Sequence, residues 1–180
     1  MATSTLHRVK AADQQTCKHV FEIIRECANW LKEKHEISTW VDYYTFENVE
    51  EMIRAYDTDI YYFENSPVMT ATTYVSPTPP LPLIKAILKN QSGFKVKEKT
   101  LFLTAFCVRP GHHGQGFAKK YIQELIADCK TKNIGRIMLI SIKAYKELTG
   151  FYLKRGFEIM GSFHDEKTKD HYNIFLKNLN

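Results

Sequence analysis

From Val108 to Ala118 the chain reads Val-Arg-Pro-Gly-His-His-Gly-Gln-Gly-Phe-Ala, with glycines at 111, 114 and 116. A continuous apolar run, Thr100 to Val108, precedes this turn. A segment of helical periodicity comes after it, Phe117 to about Lys132, with Tyr121, Ile122, Leu125, Ile126 and Cys129 on one face. A glycine turn in this place has a chemistry of its own. The first N–H groups of a helix lack intrahelical partners and lie at the positive end of its dipole. Glycines remove the Cβ atoms that would keep a ligand off the backbone. Together these features suit phosphate groups. A plain strand-to-helix turn that needs glycine only for its backbone angles would look the same, so the turn alone does not choose.

Spacing narrows the phosphate ligand. Gly111 and Gly116 stand at the G-x-x-x-x-G distance of a P-loop, which requires Lys and Ser or Thr next; Phe117 and Ala118 stand there instead. A dinucleotide fingerprint needs a third glycine three residues after Gly116 and an acidic residue at the end of the next strand. Those places hold Lys119 and, around the strand end, Ser141 and Lys143. Both nucleotide readings fail.

The elements that must position this turn can be read from periodicity. Thr5 to Lys10 reads as a first strand. Ala12 to Lys34 reads as a long helix, with Val20, Ile23, Ile24, Cys27, Trp30 and Leu31 as its core stripe. Ser38 to Tyr44, carrying Trp40, Tyr43 and Tyr44, is expected as a loop, and Val49 to Tyr56 as a short helix opened by Glu50 and Glu51. Asp59 to Phe63 and Val68 to Val75 are expected strands, joined through Asn65-Ser66-Pro67 as a hairpin. Residues 76–99 break the pattern: four prolines (Pro77, Pro79, Pro80 and Pro82) precede a short helical candidate, Leu83 to Lys89, and mark an insertion or mobile loop. Beyond the glycine turn come a strand, Arg136 to Ser141, a helix from about Ala144 to Arg155 closed by Gly156 as a left-handed cap, and strands Phe157 to Phe163 and Tyr172 to Leu176. Strand, helix, strand at this spacing implies a right-handed crossover between parallel strands.

With these elements in place, the chain resembles the GNAT superfamily of N-acetyltransferases. The acetyl-CoA signature of that family is Val-x-Pro, a short gap, Arg or Gln, Gly, x, Gly, x, then Gly or Ala. Val108, Pro110, Gly114, Gly116 and Ala118 match it, and His113 stands where Arg or Gln is usual. Phe151-Tyr152-Leu153-Lys154-Arg155-Gly156-Phe157 resembles the second signature, an aromatic-Tyr pair followed by Gly-Phe. The resemblance is close over residues 100–163 and looser before them. It implies one α/β (α+β) domain over residues 1–180, with a mixed, mostly antiparallel central sheet flanked by helices and two parallel strands that splay at the cofactor site.

The resemblance also implies roles. Phe106, Cys107 and Val108 would lie along the pantetheine arm, with the backbones of Phe106 and Val108 pairing to it. The Phe106 N–H would polarise the thioester carbonyl as an oxyanion donor. His113, Gly114, Gln115, Gly116, Phe117 and Ala118 would hold the pyrophosphate, assisted electrostatically by Lys119. Tyr152 would protonate the departing CoA thiolate; a thiol near ~8.5 and a phenol near ~10 make that transfer feasible. Tyr145 stands where the family often has Asn against the pantetheine, and Leu148 where a small residue is usual, so the surroundings of the thioester depart from the pattern. No carboxylate lies on the strand before Val108, where Thr104 is the polar candidate for a base; His164, Asp165 and His171 are candidates for a proton relay through water. Transfer is expected to be direct, from acetyl-CoA to a small-molecule or peptide amine, with no acyl-enzyme on Cys107. Trp40, Tyr43 and Tyr44, with the 76–99 insertion, are expected to shape the acceptor pocket.

Composition excludes other classes. The 180 residues suit one ordinary domain, and no apolar run approaches the ~20 residues of a membrane span. The polar N-terminus shows no secretory h-region, which gives a cytoplasmic expectation. Four cysteines and seven histidines offer no zinc spacing, so no metal is expected. A net charge of +5, with Lys and Arg scattered, does not point to nucleic acid. The rival from another class is a non-catalytic acyl-CoA-binding regulatory or interaction module. A monomer or a homodimer fits either reading.

Overall fold

A computed structural model of the chain describes residues 6–76, 99–166 and 168–179. The strands are β1 (His7–Lys10), β2 (Asp57–Phe63), β3 (Ser66–Ser76), β4 (Thr100–Val108), β5 (Arg136–Ile142), β6 (Glu158–His164) and β7 (His171–Asn178). They form a seven-stranded mixed sheet in the order β1-β2-β3-β4-β5-β7-β6, with β4 and β5 parallel. Among the described residues the helices are α1 (Gln14–His35), α2 (Thr39–Tyr43), α3 (Phe46–Ala55), α4 (Phe117–Thr131) and α5 (Lys146–Leu153). By contact density the chain divides into two compact units, residues 1–73 with 104–123 and residues 74–103 with 124–180.

The first unit is organised by α1. Asp13 caps it: its carboxylate accepts from the Thr16 N–H at 2.7 Å, and the Thr16 hydroxyl takes the Asp13 N–H at 3.0 Å. These bonds favour the ionised carboxyl and hold it below the usual range. Val20, Ile23, Ile24 and Cys27 then pack with Val49, Ile60 and Ala105, as a helical stripe should. Trp30 departs from that stripe: it is only half-buried and lies against the glycine turn.

Ser38 to Tyr44 is not a loop. Most of it is the helix α2, in which Trp40 and Tyr44 meet one turn apart at 5.1 Å and the Tyr44 N–H donates to the Trp40 carbonyl at 3.1 Å. Tertiary packing decides here, because Trp40, Tyr44 and Phe46 all rest on the α1 cluster. The next helix starts earlier than its apolar residues indicate, because the Thr45 hydroxyl caps the Asn48 N–H at 3.2 Å. Glu47, not Glu50 or Glu51, therefore occupies its first turn. The β2–β3 hairpin forms as expected, but its turn is Glu64–Asn65, both with positive φ (50° and 63°), and Ser66 already belongs to β3. That geometry is the two-residue turn that matches strand twist.

The second unit is strand-dominated. β5, β7 and β6 pair antiparallel over long registers, and Thr100–Leu103 of β4 pairs in parallel with Arg136–Leu139. Arg136 is buried and its Nε donates to the Thr100 hydroxyl at 3.2 Å. The helix expected from Ala144 begins at Lys146, with Tyr145 as its N-cap, and Gly156 beyond its end has φ 73°. The 76–99 insertion, with its Leu83 to Lys89 helix, lies almost wholly outside the described residues, as does the start of the first strand before residue 6.

Candidate active site

The two halves of β4 differ. The ladder to β5 runs from Thr100 to Leu103, and two residues later Ala105 adopts φ 45°, the left-handed region that L-residues avoid. A left-handed residue breaks the extended path of a strand and re-aims the residues beyond it. Past this bend the Arg109 N–H donates to the Val68 carbonyl on β3 at 2.8 Å. The peptide joining Val108 to Arg109 is trans, so the Val108 carbonyl points the opposite way, away from β3. In an extended strand the N–H and C=O of Phe106 point the same way as those of Val108, and those of Cys107 point towards β3. The sheet thus turns the backbones of Phe106 and Val108 to the edge away from β3. The Phe106 ring packs on Tyr121 of α4, centroids 4.8 Å apart, so side chain and backbone have separate tasks. Cys107 packs against the α1 cluster, and burial with the neighbouring Cys27 thiol pushes its own thiol well above the usual range.

A 3-10 turn, Pro110–His112, carries the chain off β4. Gly114 and Gly116 come next with φ 80° and 84°, so both glycines are needed for their backbone angles. A Cβ built on either meets no atom within 4 Å, so the turn also leaves room beside its backbone. The first ladder bond of α4 runs from the Lys120 N–H to the Gly116 carbonyl at 3.0 Å. The N–H groups of Phe117, Ala118 and Lys119 therefore precede the ladder, as an anion site requires. The glycines serve the backbone angles of the turn, and the turn leaves open space beside the start of α4. The His113 side chain turns back, its Nε2 at 2.8 Å from the Val108 carbonyl and its ring perpendicular to Trp30 at 4.8 Å.

In the second unit Tyr152 is buried (4% exposed) among Phe151, Phe157 and Phe175, with centroids 5.3–5.5 Å away. Arg155 closes this helix end: Nη1 donates to the Phe151 carbonyl at 2.6 Å, and the guanidinium lies 3.5 Å over the Phe151 ring. Tyr145 is half-buried at the N-cap of α5. His164 and His171 are direct partners across β6 and β7, ring centroids 4.7 Å apart, with Glu166 at 3.8 Å from His164 Nε2. Asp170 beside them titrates above the usual carboxylate range, first through burial and then through Asp165. Among the described residues no three His, Cys, Asp or Glu converge as a metal site, and no helix is long and apolar enough to cross a membrane.

The sequence profile described as the Acetyltransferase (GNAT) family matches residues 18–157, well over half of the chain. The chain belongs to the GNAT acetyltransferase family. Among curated proteins no sequence matches it. Solved structures that share its fold include an N-acetyltransferase from Staphylococcus aureus Mu50 (TM-score 0.68, 13% identity, 98% of this chain and 100% of that one). The PaiA N-acetyltransferase of Thermoplasma acidophilum in complex with coenzyme A also shares it (0.67, 14%, 97% and 99%). So does the ribosomal-protein-S18-alanine N-acetyltransferase of Escherichia coli (0.67, 10%, 98% and 95%). The mixed, mostly antiparallel sheet with parallel β4 and β5 is the fold of this family, and acetyl transfer is its general chemistry.

Within this GNAT chain, three residues at the turn escaped the sequence. Ala105 gave no signal, being one more small apolar residue in a strand. Cys27 and Trp30 looked like core. Cys27 Sγ in fact donates to the Val108 carbonyl at 3.2 Å, and Trp30 braces His113. The amphipathic position of Trp30 at the edge of the α1 stripe was the one available hint. A groove of about 610 Å³ beside the start of α1, with Phe21 and Phe46 in its lining and Lys18, Glu22 and Arg25 at its sides, contains none of the signature residues.

Proposed function

We propose that this chain transfers the acetyl group of acetyl-CoA to a primary amine by direct attack, acting as one functional domain over residues 1–180. The observation that carries this reading is the left-handed pair Gly114 and Gly116, which opens the start of α4 beside the re-aimed backbone of Phe106 and Val108. In the proposed reaction the amine nitrogen bonds to the thioester carbonyl carbon. The developing oxyanion accepts a hydrogen bond from the Phe106 N–H, the C–S bond breaks, the CoA thiolate takes a proton, by the family match from Tyr152, and the proton shed by the attacking nitrogen passes through water to restore the phenol. The raised Cys107 thiol supports a route with no acyl-enzyme, because a protonated thiol is a poor nucleophile.

The acceptor is a small-molecule or peptide amine. The aromatic surface of α2, where Tyr43 is 56% exposed, is the proposed rim of its pocket. The His164–His171 pair is the proposed sink for the amine's proton, because an alkylammonium near ~10 must lose it before attack. A soluble cytoplasmic monomer or homodimer needing no metal completes the reading.

One observation favours a second reading, a CoA-binding module without turnover: Tyr152 packs as a core aromatic would. Thiol release from acetyl-CoA, followed across a panel of amines, separates the two. Turnover that falls at least tenfold in Tyr152→Phe supports the enzyme. Binding of acetyl-CoA with no thiol release for any amine sinks it. A protein whose melting temperature does not move with saturating acetyl-CoA overturns both.

A further inference from the structure

We infer that His113 is a placeholder on the Val108 carbonyl, seated where an amide N–H of the pantetheine arm would bind and displaced by that arm. The inference rests on the proposed function, in which the Val108 backbone pairs with pantetheine. A carbonyl oxygen has two lone pairs. At Val108 both are engaged: Cys27 Sγ donates at 3.2 Å, and His113 Nε2 lies at 2.8 Å. A carbonyl only accepts, so the His113 proton sits on Nε2. A third donor can reach this oxygen only if one of the two leaves. Cys27 is 5% exposed and fixed in the α1 core, whereas His113 is exposed on a turn and is followed by Gly114 at φ 80°. His113 is therefore the partner that yields.

The seat is built rather than accidental. The Trp30 ring stands perpendicular to the imidazole at 4.8 Å, and His35 lies at the same distance on Trp30. The trans peptide that sends the Arg109 N–H to Val68 directs the Val108 carbonyl to the edge away from β3, so His113 and an arriving arm approach the same atom from the same side. This histidine side chain faces backbone. It is a positioning residue. It keeps the Val108 carbonyl satisfied and the turn closed until a better donor arrives, and it sets a cost on the arm rather than on the nucleotide.

Calorimetric titration of the whole protein with CoA and with 3′-phosphoadenosine 5′-diphosphate, the same nucleotide without the arm, tests this. His113→Ala should bind CoA more tightly than wild type, by roughly two- to tenfold, the worth of one neutral hydrogen bond, and should leave affinity for the armless nucleotide within about twofold of wild type. Trp30→Ala, which loosens the seat from the other side, should shift CoA in the same direction by less. Equal weakening of both ligands in His113→Ala would show that His113 serves the phosphates, and the inference would fall. Unchanged CoA affinity overturns it too. If neither wild type nor variant binds either ligand, the CoA reading itself is wrong and the placeholder goes with it.

Discussion

Thr100–Leu103 and Thr104–Val108 are consecutive stretches of one strand with opposite assignments. The first four residues are buried and paired with Arg136–Leu139. The last five are mostly half-buried, contain a left-handed alanine, and present backbone groups at the edge away from β3. Hydrophobicity does not distinguish the two stretches, since Leu-Phe-Leu and Ala-Phe-Cys-Val would both suit a core. Hydrogen bonding does. A strand can hold its fold with one half and offer the other as an edge, provided something stops the ladder between them. That division makes substitution effects separable: changes in the first half should cost stability, and changes beyond Ala105 should cost binding.

The largest effect belongs to the paired half. Phe102 is 5% exposed and stacks on Tyr74, centroids 5.0 Å apart at 13°. Phe102→Ala should cost about 3–5 kcal/mol, a fall in Tm of roughly 6–20 °C for a chain of this size, with CoA affinity of the folded fraction unchanged. Loss of affinity without loss of stability would reverse the assignment. Gly116→Glu should do the opposite. It places a carboxylate at the proposed phosphate cradle and a side chain at φ 84°, and it should weaken CoA binding by about 100-fold or more, about 2.7 kcal/mol. The strain at one exposed loop position should take only about 1–2 kcal/mol from stability. Denaturant melts and titrations on the same preparations read both quantities.

A pH profile sharpens the contrast within the second stretch. The alkylation rate of an ordinary thiol tracks its thiolate fraction, rising about tenfold per pH unit and levelling near ~8.5. Burial and Cys27 raise the Cys107 thiol well above 9.0. Its alkylation, followed by mass spectrometry of the labelled peptide, should therefore be slow at pH 7 and still rising beyond pH 9. The linkage has a definite sign: a folded-state value above the unfolded one makes the protonated thiol packed on the α1 cluster compatible with the fold below pH 9 and lowers stability as pH rises past it. A plateau near pH 8.5 would place Cys107 in water, outside the α1 cluster.

These contrasts also separate what the sequence could reveal from what it could not. The long amphipathic α1, the strand-turn-helix around Gly114 and Gly116, and Gly156 as a left-handed cap arise from periodicity and glycine placement, which are local properties. The parallel β4–β5 pair came from the crossover rule. The helical state of Thr39–Tyr43 did not, because aromatic residues are middling helix formers and α2 owes its shape to packing on α1. The start of α3 was missed for a different reason: its cap is a single threonine, Thr45, ahead of the apolar residues that drew attention to Val49. At the site, Cys27 on the Val108 carbonyl and Trp30 on His113 lie about eighty residues earlier in the chain than the groups they touch. No local pattern carries such a distance.

The smallest predicted effect tests the hinge of the comparison itself. Replacing a buried strand alanine by glycine normally removes a methyl and adds backbone entropy to the unfolded chain, costing about 0.5–1 kcal/mol for the backbone and about 0.8 kcal/mol for the methyl. Ala71, fully buried in β3, should show that sum, about 1.5 kcal/mol. Ala105 is as well buried, at 3% exposed, but holds φ 45°, where an L-residue is disfavoured by about 1–2 kcal/mol and glycine is not. The two contributions oppose each other, so Ala105→Gly should leave stability within about 0.5 kcal/mol of wild type. Paired denaturant melts of Ala71→Gly and Ala105→Gly measure the difference directly. Equal costs at both positions would mean that Ala105 stores no backbone strain. The ladder would then end after Leu103 for want of a partner on β5, and the left-handed backbone at Ala105 would be a consequence of that end instead of its cause.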